Sequence, residues 1–312
     1  MKTEDYKNQI DWLLTGDPAI VYQTKRDLLH ADSQELILDQ DKILTEGWGK
    51  RLLEKQEENG TWKNTLYSPK FQSTFYSLLL LKNLRAPLSD QIRKAIYLIL
   101  DKGFYLDYGI NLWQSWKRSE TCVSGMFLSI MGHFNIDDDR VAKMSQFLIK
   151  EQMPDGGWNC RAHKGATHSS FHTTMSAMEG LWEFQKNQKV KSEAIEEALA
   201  KSLDFLLQHQ LYKSHRTGQI VDYKMTKMIF PPQWQFDFMR FLDYAQEKRI
   251  SKDTRLEEAI DLIRTKKSSE GFWNQEKLHS GKMHFTMETL GKASRWNTMR
   301  AIRVLNWWEG II

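Results

Sequence analysis

Two kinds of helical segment alternate along the 312 residues of the chain. One kind is charged and amphipathic. Val141, Met144, Phe147 and Leu148, for example, recur at the spacing of one face of a 3.6-residue helix. Segments of this kind cover Glu4–Leu14, Asp41–Glu57, Ser89–Phe104, Asp137–Gln152, Lys191–Leu211 and Asp253–Lys267. Ser89 and Asp253 stand where N-caps belong. The other kind opens on small polar residues and then turns apolar nearly all round. It covers Ala19–His30, Ser73–Leu84, Ser119–Phe134, Ser169–Phe184, Gln233–Tyr244 and Ser294–Trp308. A helix apolar on every side is expected to be buried.

The alternation gives six pairs of roughly 50 residues each, a period typical of helical arrays and closed rings. Three of the connecting loops share a pattern: Gln56 to Gly60 and Trp62, Gln152 to Gly156 and Trp158, Ser268 to Gly271 and Trp273. A glycine after an acidic or amide residue lets the backbone turn with positive φ. The tryptophan that follows can then plug the space between an outer and an inner helix. From the residues alone, an α-solenoid with Gly-Trp loops stays open beside a closed ring.

A Gln-x-x-Asp-Gly-x-Trp loop between outer and inner helices resembles the repeat hallmark of the terpenoid cyclase and protein prenyltransferase superfamily. Within it, the chain is similar to the small bacterial squalene cyclase-like proteins, whose chemistry is unassigned. The resemblance runs over nearly the whole chain. It implies an all-α fold, one α/α toroid over residues 1–312 with six inner and six outer helices, and a working surface in the central cavity.

Charge narrows the partners. The chain carries 44 basic and 40 acidic residues, interspersed, for a net charge of +4. No basic block or basic–aromatic array points to nucleic acid. A small positive excess suits an anionic ligand. Two cysteines make no disulfide framework. The Met1–Lys7 stretch lacks an apolar signal core, and the longest apolar run, Leu78–Leu81, cannot span a bilayer. A reducing, cytoplasmic protein is the expectation.

In a toroid the inner helices start around one mouth of the cavity, where free N–H groups and helix dipoles favour anions. Here the apolar helices open with Tyr76, Glu120, Cys122, His168, His172, Trp234, Asp237, Arg295, Trp296 and Asn297. Capping explains Ser73, Ser119 and Ser294, but not Glu120, His172, Asp237 or Arg295. Carboxylate, thiolate and imidazole together suit zinc, with a fourth position left open. The resemblance implies the same: prenyltransferase β-subunits hold zinc with Asp-x-Cys on one inner helix and His on the next, matched here by Glu120, Cys122 and His172. Glu in place of Asp departs from that pattern. The pair lies about 200° apart on a regular helix, so Glu120 must sit at or before the N-cap.

Cys160, His163 and His168 surround this set, His168 being a second acid/base candidate beside His172 and Asp237. Tyr67, Lys70, Tyr76, Trp234, Arg295, Trp296 and Asn297 are expected to bind substrate. Further basic residues, Arg118, His215, Arg216 and Lys227, are individually solvated charges. Asp137, Asp138 and Asp139 open an outer helix and complement its dipole, so they do not supply the acid of a squalene cyclase. The expected function is a cyclase- or prenyltransferase-like enzyme for an isoprenoid or other apolar substrate, with zinc. A binding protein for a lipid-like or small anionic ligand is the alternative. A carbohydrate-active six-hairpin barrel using Glu120 and Asp237 ranks last.

Overall fold

The structure, a computed structural model, describes residues 3–113, 115–188 and 192–311. Among them are thirteen α-helices and no β-strand, only isolated bridges. The inner ring consists of α2 (Pro18–Thr24), α5 (Thr74–Asn83), α7 (Thr121–His133), α9 (Phe171–Gln188), α11 (Phe238–Lys248) and α13 (Arg295–Glu309). Outside it lie α1 (Lys7–Leu13), α3 (Ser33–Thr45) with α4 (Gly47–Leu53), α6 (Asp90–Gly103), α8 (Asp139–Lys150), α10 (Glu193–Gln208) and α12 (Glu257–Thr265). The fold is therefore an α/α toroid. None of the helices is long and apolar enough to cross a membrane.

Three boundaries differ from the sequence reading. The second outer segment starts at Ser33, with Asp32 as N-cap, and breaks at Gly47. There φ is +61° and an added Cβ would strike the Asp17 carboxylate, which instead accepts the Trp48 N–H at 2.7 Å. The fifth inner helix starts only at Phe238, behind the N-cap Asp237, because the preceding stretch carries Pro231 and Pro232 and turns at Gln233, where φ is +53°. Lys191, the expected start of the fifth outer segment, lies outside the described residues.

Adjacent inner helices are joined by two kinds of contact. Between α7 and α9 the side chains are small. A Cβ on Gly125 would lie 2.6 Å from the Ser176 carbonyl oxygen, and one on Gly180 2.5 Å from that of Gly125. From α9 through α11 and α13 to α2, charge crosses the gap. Arg240 of α11 forks onto Glu179 of α9 at 2.7 and 2.8 Å. Asp243 of α11 takes Arg300 at 2.5 Å and Arg303 at 2.8 Å, both from α13. Arg303 continues to Asp27, in the π-turn Lys25–Leu29 that extends α2, and so closes the ring.

The three tryptophan loops repeat one device. Trp62, Trp158 and Trp273 are each fully buried. Their indole N–H groups donate to the carbonyls of Leu52, Leu148 and Ile263 at 2.6–2.7 Å. Their backbone N–H groups donate to Thr74, Thr174 and Thr298 hydroxyls on the inner helices. The glycines before them have φ of +87°, +92° and +90°, a region that costs glycine nothing. Gln56 and Gln152 bond the carbonyls of their own Gly60 and Gly156. In the third loop Lys267 stands in place of glutamine, and Gln9 of α1 donates to Gly271 instead.

Candidate functional site

The ring holds a partly open chamber of about 90 Å3 lined by nine charged side chains. Lys82, Arg85, Arg240, Arg300 and Arg303 face Glu179, Glu183, Asp243 and Glu247 across it. The residues arise from a helical spacing on otherwise apolar helices: Glu179 and Glu183, Arg240, Asp243 and Glu247, Arg300 and Arg303. That spacing is visible in the sequence, but nothing local in it says that these charges face a common chamber.

Five cations meet four carboxylates in the chamber, and the pairing is uneven. Arg85 bonds Glu247 at 2.6 Å and lies 3.6 Å from Glu183. Glu247 also holds Lys186 at 2.7 Å, and these cations keep its buried carboxyl well below the usual range. Lys82 is 8% exposed and, among the described residues, has no ion pair. Arg300 is 2% exposed. Its Nε serves Asp243 and its Nη1 the Ile229 carbonyl, but its Nη2 has no acceptor. The indole nitrogens of Trp182 and Trp296, also on the wall, have none either. Phe230 stacks on Trp296 with ring centres 3.8 Å apart, and both line the chamber.

At the mouth, the exposed Lys70 lies over the Trp234 ring at 4.9 Å. His172 meets the other part of that indole edge-on at 5.1 Å. Burial drives the His172 pKa down to about 4, so the ring is neutral near pH 7. Its Nδ1 accepts the Phe236 N–H at 2.8 Å. That bond assigns the proton to Nε2, making His172 a donor toward its surroundings and leaving it no free lone pair.

Glu120 is the N-cap residue of α7. Burial raises its carboxyl pKa, and its carboxylate accepts the Trp113 indole N–H at 2.8 Å. Tyr67 packs edge-on against Trp113 and beside Tyr76; both phenols are buried, and burial raises both pKa values.

Cys122, in the first turn of α7, pairs with Cys160 rather than with Glu120 and His172. Its backbone N–H donates to the Cys160 sulfur at 3.1 Å. The thiol–thiol hydrogen bond raises the Cys122 pKa and lowers that of Cys160. Among the described residues no three His, Cys, Asp or Glu side chains gather as metal ligands. As arranged, Glu120, Cys122 and His172 do not fit zinc: each has another partner, and a ligating imidazole would have to release the Phe236 N–H.

The other expected site residues scatter. Asp237 does not line the chamber. It caps α11 through the Arg240 N–H, and burial pushes its pKa up to about 6. Arg295 turns outward, 4.4 Å over the Trp12 ring of α1 and bonded to the Trp12 carbonyl, so it fastens the first helix to the last. Asn297 is spent on the Met228 and Asn274 carbonyls. His168 is exposed in an outer groove with His209 and His215.

No known family's sequence profile matches the chain, and no curated protein matches it. Among solved structures it is similar to the type II terpene cyclase MstE from Scytonema, in complex with merosterolic acid A. The identity is 9%, over 88% of this chain and 98% of that one, with a TM-score of 0.37.

Proposed function

We propose that this toroid binds a small anionic molecule in its central chamber. The observation that carries the reading is the unpartnered Arg300 Nη2, buried among a surplus of cations. A buried donor without an acceptor costs about 1–3 kcal/mol, more when charged. A carboxylate or phosphate oxygen would remove that cost with a charge-assisted bond. The size agrees, since about 90 Å3 holds roughly three water-sized groups. Burying an isoprenoid chain there would strip water from the ionised side chains that line the chamber. The binding alternative therefore takes precedence over the apolar-substrate enzyme.

A thermal-shift titration tests this, with sodium acetate and sodium phosphate set against sodium chloride at matched ionic strength. The expected result is a saturable rise in Tm with acetate or phosphate only, weakened at least tenfold in Arg300→Lys. Equal responses to all three salts would overturn the reading. Elemental analysis of chelator-free protein addresses the zinc expectation separately; one zinc per chain would restore it.

A second reading has one observation behind it. Glu120, with its raised pKa, and the Cys160 thiol lie at the same mouth, a pairing of general acid and nucleophile. It predicts that Glu120→Gln abolishes turnover without changing anion binding.

A further inference from the structure

The chain has only two cysteines, and the fold places them together although 38 positions separate them. We propose that Cys122 and Cys160 form a modification site: a peroxide oxidises the pair to an intramolecular disulfide that ties the α8–α9 loop to the first turn of α7. This inference is independent of the anion-binding reading, which rests on the chamber.

The geometry assigns the roles. Three hydrogens point at the Cys160 sulfur: the Cys122 backbone N–H at 3.1 Å, the Thr173 hydroxyl at 3.5 Å, and the Cys122 thiol. Donors of this kind stabilise charge on sulfur and make it the better nucleophile. Cys160 therefore attacks and Cys122 resolves. Both residues are only partly buried, which leaves a path for an oxidant as small as hydrogen peroxide.

In the first step the Cys160 sulfur forms an S–O bond, the peroxide O–O bond breaks, and one water leaves, giving the sulfenic acid. In the second step the Cys122 sulfur displaces the hydroxyl from that sulfenic acid. The S–S bond forms and a second water carries away the Cys122 proton. The two thiols lose two electrons, and the peroxide gains them. A thiol reductant reverses the change.

The product would be held by neighbours already in place. The loop that carries Cys160 is pinned by Asp155 to Ser169 and by Asn159 to the His168 carbonyl, so its sulfur cannot swing away from α7. Glu120, two residues before Cys122, would be fixed in its N-cap position, which gives the disulfide a direct influence on the mouth.

The test treats the full chain with hydrogen peroxide, denatures it in N-ethylmaleimide and measures intact mass. The expected product is two hydrogens lighter than the reduced chain and takes up no maleimide; dithiothreitol restores both alkylation sites. In Cys122→Ser, the expected product is a sulfenic acid on Cys160 that dimedone traps. In Cys160→Ser, Cys122 should still alkylate fully. Two maleimides on peroxide-treated wild type, or a disulfide that joins two chains on a non-reducing gel, would overturn the proposal. Dimedone capture on Cys122 rather than Cys160 would overturn the assignment of the attacking thiol.

Discussion

The α7–α9 seam and the α11–α13–α2 seam do the same job by opposite means. At the first, Gly125 and Gly180 bring two backbones so close that no side chain fits between them. At the second, arginines and aspartates hold the helices apart and bridge the gap with ion pairs. A dry, small-residue contact leaves no volume inside the ring, whereas a gap spanned by long charged side chains leaves a chamber and unspent donors. In this ring, space for a ligand exists where packing was traded for charge.

The largest expected effect comes from breaking the charged seam. Arg303→Met removes two buried charge-assisted bonds, although Asp27 keeps Arg26 and Asp243 keeps Arg300, and should cost about 3–5 kcal/mol. A urea denaturation midpoint within error of wild type would show that the ladder contributes nothing to closure.

The next effect depends on pH. Asp237 is raised from 3.8 to about 6, chiefly by burial, and Arg300, Arg240 and Asp243 are the charges around it. The folded state thus holds that proton more tightly than the unfolded state between these values, and stability falls as pH rises through the window. Asp237→Asn removes the dependence. Its stability relative to wild type should grow by about 3 kcal/mol from below pH 3.8 to above pH 6; a constant difference would argue that Asp237 is solvated.

At the small-residue seam, Gly125→Ala should cost about 1–3 kcal/mol, since the new methyl meets backbone rather than a movable side chain. A neutral result would mean the seam can spread. The smallest change is expected on the outside. Arg255, paired with Asp204 and Asp253 near the surface, should contribute no more than about 1 kcal/mol, so Arg255→Ala calibrates what charge is worth when water is present.

The ring itself was legible because amphipathic periodicity is local: Val141, Met144 and Leu148 declare a face without reference to any other segment. The Trp loops were legible for the same reason, since glycine and tryptophan sit within a few residues of each other. The break at Gly47 was hidden because its cause, Asp17, is thirty residues earlier. The first-turn residues stand out in the sequence as polar groups on apolar helices, but their partners are not legible there. Cys122 turned to a cysteine on another loop, His172 received a backbone N–H, and Arg295 faced α1. Polar residues at the start of a helix announce that they need partners without naming them.

The lysine at position 267, where the first two loops carry glutamine, has a kinetic meaning. Gln56 and Gln152 find their glycine carbonyls four residues away, a closure with almost no chain-entropy penalty. Gln9 finds Gly271 across 262 positions, and the Arg303–Asp27 bridge spans 276. Contacts of such separation are expected to form last, after the loops at Trp62 and Trp158 have set. The hoop would then assemble as an open arc whose first helix docks late, like a clasp. Gln9→Ala should slow only the final refolding phase, whereas Gln152→Ala should slow an earlier one; matching effects on a single phase would mean the ring closes as it forms.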